Sequence, residues 1–203
     1  KIIPSEENHE ITWHTPRSVK EAEEDSTESA YWFIPQASDS LISDEEKEQL
    51  QSEALSAAKL VRGIYQDAKI EDEPNYDSGV REFTGKQRRD VVEKLGENCF
   101  VSVAENVNMQ NYEAVETFYE GYWNGQDSMV TVFEVQQDGL IGAVTFIYRK
   151  GQLKTYYIGV RWKEGGTPEI QGTSVSNVAE IKLTEKVHRK DICYLKIYSV
   201  CNP

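Results

Sequence analysis

The sequence predicts an α+β fold in which three helices pack on an antiparallel sheet of about five to six strands. Three apolar runs rich in β-branched and aromatic residues are separated only by Asp138-Gly139 and Lys150-Gly151. Short glycine-containing connections between such runs are typical of β-hairpins. Two helical patterns lie upstream, and each begins with the capping sequence Ser/Thr-x-x-Glu/Gln. We therefore expect helices first and a long strand meander after them.

The first helix is predicted to begin at the cap Ser43, with Glu46 as the reciprocal partner in a capping box. Its apolar residues recur at spacings of 3 and 4, which predicts one buried stripe: Leu50, Ala54, Ala57, Val61, Ile64 and Ala68. Because small side chains permit close approach, we expect this helix to cross the sheet over Gly142 and Gly159.

The second helix is predicted from the cap Thr84, with Gln87 as its capping-box partner, to Leu95. Gly96 is expected to end it, because glycine readily adopts the left-handed conformation at the residue after a helix. The run Cys99–Ala104 predicts a short strand in which Cys99 is a buried packing residue rather than a nucleophile.

The third helix is predicted to begin at the cap Asn108 and to end at Asn124-Gly125. One stripe of this helix would carry Met109, Tyr112, Val115, Tyr119 and Tyr122, with Phe118 beside it. Aromatic residues at helical spacing can be core or can line a binding site. We take Tyr112, Tyr119, Tyr122 and Trp123 as the candidate ligand-binding residues.

The register of the meander follows by counting outward from two-residue turns, because strand side chains alternate between faces. The predicted pairs are Tyr148 with Leu153, Val144 with Tyr157 and Gly142 with Gly159 in the second hairpin, and Val135 with Gly142, Phe133 with Val144, Thr131 with Phe146 and Met129 with Tyr148 in the first. One face then carries Met129, Phe133, Val135, Leu140, Val144, Phe146, Tyr148, Leu153 and Tyr157. We expect the helices on this face.

The opposite face of the predicted meander is also too apolar to face water alone. It carries Val130, Val132, Ile141, Ala143, Ile147, Ile158, Val160 and Trp162. We expect it to be covered by a second copy of the chain in a homodimer, or by the aromatic segment Tyr31–Pro35. Residues 163–178 are rich in Gly, Thr and Ser and predict a loop. Alternation from Ile181 and a run ending at Val200 predict two further strands that extend the sheet.

Composition divides the chain into a flexible acidic N-terminal segment at residues 1–42 and the α+β domain at residues 43–203. The first segment is polar and broken by prolines, so it buries too little apolar area to repay ordering. The net charge of −13 repels phosphate backbones, and no apolar run is long enough for a membrane helix. We expect no nucleic-acid partner and no membrane insertion of the chain itself.

The start of the chain is expected to follow an export signal or lipid anchor. Residues 1–44 resemble the polar spacer of such proteins, and the chain opens at Lys1. This predicts an extracytoplasmic location, with the chain either exported or held at the cell surface by a lipid anchor.

The order of helix, helix, short strand, helix and meander resembles the NTF2-like (cystatin-like, cone-shaped) superfamily. That resemblance covers roughly residues 43–200 and implies helices on the concave side of a curved sheet. More narrowly, Asn108–Glu113 and Ala179–Lys186 are similar to an uncharacterised family of exported lipoproteins of Gram-positive gut bacteria. That second resemblance implies a longer chain and no known activity, and Val187–Pro203 departs from its pattern.

No pattern in the sequence predicts catalysis, a cofactor or a metal site. The three histidines are scattered, the cysteines form no CxxC pair, and the acidic loop at residues 71–79 matches a calcium loop incompletely. Asp90 and Glu93 are expected to be solvated. We therefore expect a binding module for an unknown protein or small-molecule ligand. The alternative is a small-molecule enzyme that uses the pocket of the NTF2-like cone.

Overall fold

The computed structural model describes residues 41–66, 68–70, 80–81, 83–104, 107–163, 165–186 and 194–200. For residues 69–70, 80–81, 107–108, 182–186 and 194–200 it describes the backbone alone. The predicted N-terminal segment apart from residues 41–42, the segment Tyr31–Pro35, and the acidic loop at residues 71–79 lie outside the described residues.

The described elements are four helices and ten strands. The helices are α1 (Asp44–Leu60), α2 (Arg62–Tyr65), α3 (Gly85–Glu97) and α4 (Glu113–Trp123). The strands are β1 (Lys69–Ile70), β2 (Val80–Arg81), β3 (Val101–Ala104), β4 (Val107–Gln110), β5 (Ser128–Val135), β6 (Ile141–Arg149), β7 (Gln152–Lys163), β8 (Thr167–Asn177), β9 (Glu180–Lys186) and β10 (Tyr194–Val200). The predicted α+β class is confirmed.

The main sheet has six strands in the order β4-β3-β5-β6-β7-β8. The predicted number of strands is confirmed, but the sheet is mixed, because β3 pairs with β5 in parallel. β1 pairs with β2, and β9 pairs with β10, in separate two-stranded sheets. The prediction that the last two strands extend the main sheet is therefore wrong, although both runs are strands.

Both faces of the main sheet are covered by helices. The α1 face packs against α1, α2 and α3 and carries Phe133, Val135, Ile141, Ala143, Ile147, Tyr156, Ile158, Val160 and Trp162. The α4 face packs against α4 and carries Val101, Val103, Val130, Val132, Phe146 and Leu153. The helices therefore do not share one face, in contrast to the predicted arrangement.

The register of the second hairpin is confirmed and that of the first is wrong by one residue. Lys150 and Gly151 form a two-residue turn with φ of 51° and 73°, and Tyr148 pairs with Leu153 as predicted. The connection from β5 to β6 instead spans residues 136–140, because Gln136 N donates to Leu140 O at 2.9 Å. Val135 consequently pairs with Ile141 rather than Gly142.

This one-residue shift redistributes the residues that were predicted to share the second face of the meander. A slip of one residue in strand register turns every side chain of that strand to the other face of the sheet. Val130 and Val132 lie on the α4 face, whereas Ile141, Ile147, Ile158, Val160 and Trp162 lie on the α1 face. All seven are buried by the chain itself. The prediction that these residues share one face that needs an outside cover is therefore wrong, and the homodimer, which stays a prediction, loses the reason given for it.

Gly142 and Gly159 do pair, but α1 does not cross them. Ala143 and Ile158 flank them on the α1 face, so the glycines belong to the α4 face. There the Tyr157 ring lies over them: a Cβ added at Gly142 would lie 2.9 Å from Tyr157 Cε2. The close approach at this point is made by a tyrosine rather than a helix.

Helices α1 and α3 begin at the predicted capping residues, Ser43 and Thr84. Ser43 N donates to Glu46 Oε2 at 2.9 Å, and Glu46 N donates to Ser43 Oγ at 3.2 Å. Thr84 and Gln87 form the same reciprocal pair at α3. Each capping box satisfies amides that the helix itself leaves unpaired.

The predicted roles of Gly96 and Cys99 are wrong. Gly96 lies inside α3, where its missing side chain lets β4 approach: an added Cβ would lie 2.6 Å from Gln110 Cβ. The left-handed residue after the helix is Cys99, with φ of 65°, and its side chain is exposed. Phe100 N donates to Leu95 O and Cys99 N to Gly96 O, which closes the helix end.

Two further segments predicted from local pattern differ in the structure. Residues 107–110 form β4 rather than the start of a helix, because they pair with β3 and bury Met109. Residues 167–177, predicted as a loop, form β8 along β7, with Pro168 near the start of this edge strand. Proline is tolerated there because an edge strand has one unpaired side.

Candidate ligand-binding surface

Helix α4 is held on the sheet by two buried side chains. Val115 and Phe118 are the buried residues of the helix, and Phe118 contacts Phe146 of β6 with ring centroids 6.1 Å apart. Gly121 lies close to the start of β5, since an added Cβ would lie 2.9 Å from Ser128 Cβ. Ser128 Oγ also donates to Phe118 O at 3.2 Å. Small residues at both positions therefore bring α4 against β5.

The last turn of α4 ends at Asn124 and Gly125, as predicted. Asn124 N donates to Glu120 O, and Gly125 adopts a φ of 70°, which reverses the chain toward β5. Gln126 N donates to Gly121 O at 2.8 Å. These bonds fix the final turn of the helix, where Tyr122 and Trp123 lie.

Four aromatic rings meet at this end of α4. Tyr122 contacts Tyr148 of β6 edge to face, with centroids 5.1 Å apart and planes at 88°. Tyr119 lies 6.0 Å from Tyr122, and it stacks on Trp123 at 6.3 Å with planes at 27°. Such offset and edge-to-face arrangements are the favoured geometries of aromatic pairs. We call these four residues the aromatic surface.

Exposure increases across the aromatic surface away from the sheet. Tyr119, Tyr122 and Tyr148 are partly buried, whereas Trp123 is 75% exposed. The spacing explains this order: Phe118 and Tyr122 are one turn apart above Phe146 and Tyr148, while Tyr119 and Trp123 follow the adjacent ridge. An exposed indole therefore lies beside three rings held in place by packing.

A model of a family of unknown function, DUF6070, matches residues 47–196. The chain belongs to this family. The matched range includes both faces of the main sheet and the whole of α4. No curated protein and no solved structure matches the chain.

The DUF6070 chain brings together three of the four predicted ligand-binding residues and adds one. Tyr112 lies at the other end of α4, as the residue before its first turn, and is partly buried against the α4 face. Tyr148 was not predicted, because all four candidate residues came from the single helix that the sequence pattern indicated. The signal was available, since Tyr148 follows Phe146 on the same face of β6 and the second hairpin was placed correctly.

Acidic side chains flank the aromatic surface of this DUF6070 protein. Glu116 and Glu120 lie on the Tyr119 side of α4, and the last turn of the helix carries no basic residue. The helix C-terminus adds partial negative charge at the same place. The surface is therefore apolar at its centre and negative along one side.

The chemistry elsewhere in the described residues gives no second site. Asp90 lies on the surface of α3 and accepts from Lys86 Nζ at 2.7 Å, and Glu93 is exposed. Within the described ranges, no three His, Cys, Asp or Glu side chains converge as metal ligands would. No helix in the described part of the chain is long and apolar enough to cross a membrane.

Proposed function

We propose that this DUF6070 chain is a non-enzymatic binding module that uses the aromatic surface to bind a protein partner or a small ligand. The observation that carries the proposal is Trp123, an indole 75% exposed and stacked on Tyr119. The rest of the surface is packed against the sheet through Tyr122 and Tyr148. A rigid support under an exposed ring is what a binding surface requires.

The exposed indole has a large free energy of burial still available. A tryptophan buries about 200 Å2, so covering the exposed three quarters of Trp123 would contribute roughly 4 kcal/mol before binding costs. The ring also loses little conformational freedom on binding, because Tyr119 already restrains one side of it. Tryptophan and tyrosine are accordingly enriched among the residues that dominate binding energy at interfaces.

The alternative function, a small-molecule enzyme, has less support. It requires a pocket with converging ionisable groups beneath the helices. On the α4 face this space is occupied by Phe118 against Phe146 and by Tyr122 against Tyr148. A filled interior favours the binding module over the enzyme.

The finer structural and cellular assignments are part of the same proposal. The NTF2-like architecture is supported by helices that precede the long meander β5-β6-β7, although α4 lies on the face opposite α1. An extracytoplasmic location with a lipid anchor rests on the composition of residues 1–44. Fractionation of cells that express the full-length protein would test this location, and recovery of the protein in the cytosol would contradict it.

A ligand screen read at single residues tests the proposed binding surface. A library of small molecules and short peptides is titrated against isotope-labelled protein while the indole and amide resonances are followed. We expect bound compounds to shift the Trp123 indole and to lose binding in Trp123→Ala, whereas Tyr112→Phe at the far end of α4 binds normally. Compounds that bind Trp123→Ala as tightly as the native chain, with shifts only elsewhere, would contradict the proposal.

A further inference from the structure

We infer that the aromatic surface accepts an arginine side chain from a basic surface of a protein partner. The inference deepens the proposed function and rests on it. It joins two features that lie on the same ridge of α4: the exposed indole of Trp123 and the carboxylate of Glu120.

Helical spacing places these groups side by side. Glu116, Tyr119, Glu120 and Trp123 follow one another at intervals of 3, 1 and 3 residues, so they form one patch of neighbouring side chains. The Glu120 side chain therefore lies one turn before Trp123 (i, i+3) and one turn after Glu116 (i, i+4). A planar guanidinium can stack on an indole while its edge donates to a carboxylate.

The electrostatic potential at this patch favours a cation. The ring faces are negative, the C-terminus of α4 adds partial negative charge, and the last turn has no basic side chain to offset it. The chain as a whole carries a net charge of −13, which steers basic partners toward it.

Two basic residues follow Tyr148 directly along the chain, and their described contacts lie elsewhere. Arg149 lies on the α1 face, where Nη2 contacts Glu46 Oε1 at 2.8 Å and Nη1 donates to Leu41 O. Lys150 lies in the β6–β7 turn, is exposed, and its backbone amide donates to Asp127 Oδ1 at 3.1 Å. The guanidinium of Arg149 is therefore engaged on the opposite face of the sheet from Trp123.

The openness of the surface indicates a protein partner rather than a free small cation. A cation–π contact left in water changes affinity by only about two- to fivefold, whereas a desolvated one changes it by about 30-fold. With Trp123 three quarters exposed, a small ammonium ion would leave the ring in contact with water. A partner surface can cover the ring and its surroundings, and so exclude the water.

Arginine-glycine repeat peptides provide the test. The peptide and its analogue with citrulline in place of every arginine are titrated against the native chain, with the Trp123 indole resonance as the readout. Citrulline keeps the planar shape and removes the charge. We expect the arginine peptide to bind at least about tenfold more tightly and to lose about tenfold of its affinity in Trp123→Ala.

A matched pair of charge variants separates a local site from general attraction to an acidic protein. Glu120→Gln and Glu93→Gln remove the same charge from exposed positions of two different helices. We expect Glu120→Gln to weaken the arginine peptide about fivefold and Glu93→Gln by less than about twofold. Equal losses in the two variants, or equal affinity for the citrulline peptide, would overturn the inference.

The two proposals can fail separately. If the arginine peptide binds no better than the citrulline peptide while library compounds still require Trp123, the inference is wrong and the binding surface stands. If no ligand of either kind depends on Trp123, the proposed function is wrong as well. Thermal unfolding of Trp123→Ala at the native temperature would confirm that loss of binding is not loss of fold.

Discussion

Both faces of the main sheet carry stacked tyrosine and tryptophan rings, but the rings differ in how far they are exposed. On the α1 face, Tyr65 stacks on Phe83 at 4.7 Å and on Trp162 at 3.8 Å, and Trp162 is only 1% exposed. On the α4 face, Tyr119 stacks on Trp123, which is 75% exposed. Stacked aromatic rings therefore say little about function until their burial is known.

The difference between the two aromatic groups comes from what covers them. The Tyr65 stack lies among α1, α3 and β7, and the Tyr65 hydroxyl donates to Gly139 O at 2.8 Å in the β5–β6 connection. Burial in this apolar setting raises the pKa of the Tyr65 phenol. The aromatic surface is attached to the sheet through its member Tyr148 on β6, and it ends in an exposed indole. One group is closed inside the core, and the other ends in an exposed ring.

Replacing each of the two tryptophans with alanine should give the largest difference in stability between the two faces. Trp162→Ala removes a fully buried ring, so we expect it to lower the free energy of unfolding by about 3–5 kcal/mol. Trp123→Ala removes an exposed one, so we expect a change within about 1 kcal/mol. Chemical denaturation of both variants measures the difference, and equal losses would contradict the contrast between the faces.

Removing a single tyrosine hydroxyl from each face should give a smaller difference in stability, again with the larger loss on the α1 face. Tyr65→Phe leaves the buried Gly139 carbonyl without its donor, which costs about 1–3 kcal/mol. Tyr148→Phe changes a partly exposed ring on the other face, and we expect an effect within about 0.5 kcal/mol. A melting temperature for Tyr65→Phe as high as that of Tyr148→Phe would show that the buried hydrogen bond does not stabilise the stack.

Local signals predicted well those parts of the fold that depend on a few neighbouring residues. The capping boxes at Ser43 and Thr84 and the turn at Lys150-Gly151 each satisfy their own hydrogen bonds, so their structure follows from adjacent sequence. The length of the β5–β6 connection was predicted wrongly, because Asp138-Gly139 indicates a turn without fixing how many residues it contains.

Pairing with distant strands determines the secondary structure of the segments that were predicted wrongly from local sequence. Residues 107–110 have the apolar spacing of a helix start but pair with β3, and residues 167–177 look like a loop but pair with β7. Three residues of the candidate surface were found because they share one helix. Tyr148 lies on a different element, and its contact with Tyr122 depends on how α4 crosses β6.

The smallest predicted effect is a change in the free energy of unfolding with pH, caused by the Glu46 carboxylate at the α1 face. Arg149 and the Ser43 amide hold the pKa of Glu46 below its ordinary value of 4.5. The stabilisation from this carboxylate is therefore fully present above about pH 4.5 and is lost as the pH falls through the lowered pKa. Because both side chains are about a third exposed, we expect at most about 1 kcal/mol.

Glu46→Gln isolates that contribution. We expect the variant to unfold more easily than the native chain at neutral pH, and the gap to close in acid as the native carboxylate is protonated. Denaturant midpoints at several pH values would measure the gap. A gap that stays constant from neutral to acid pH would show that the Arg149 contact does not stabilise α1 on the sheet.

Hydroxyl-radical footprinting of the native chain tests most directly the claim that the two faces differ in the exposure of their aromatic rings. Mass spectrometry of the oxidised protein gives the modification rate of each tryptophan under one set of conditions. With exposures of 75% for Trp123 and 1% for Trp162, we expect Trp123 to react at least about tenfold faster. Similar rates at the two residues would contradict both the closed core on the α1 face and the open aromatic surface on the α4 face.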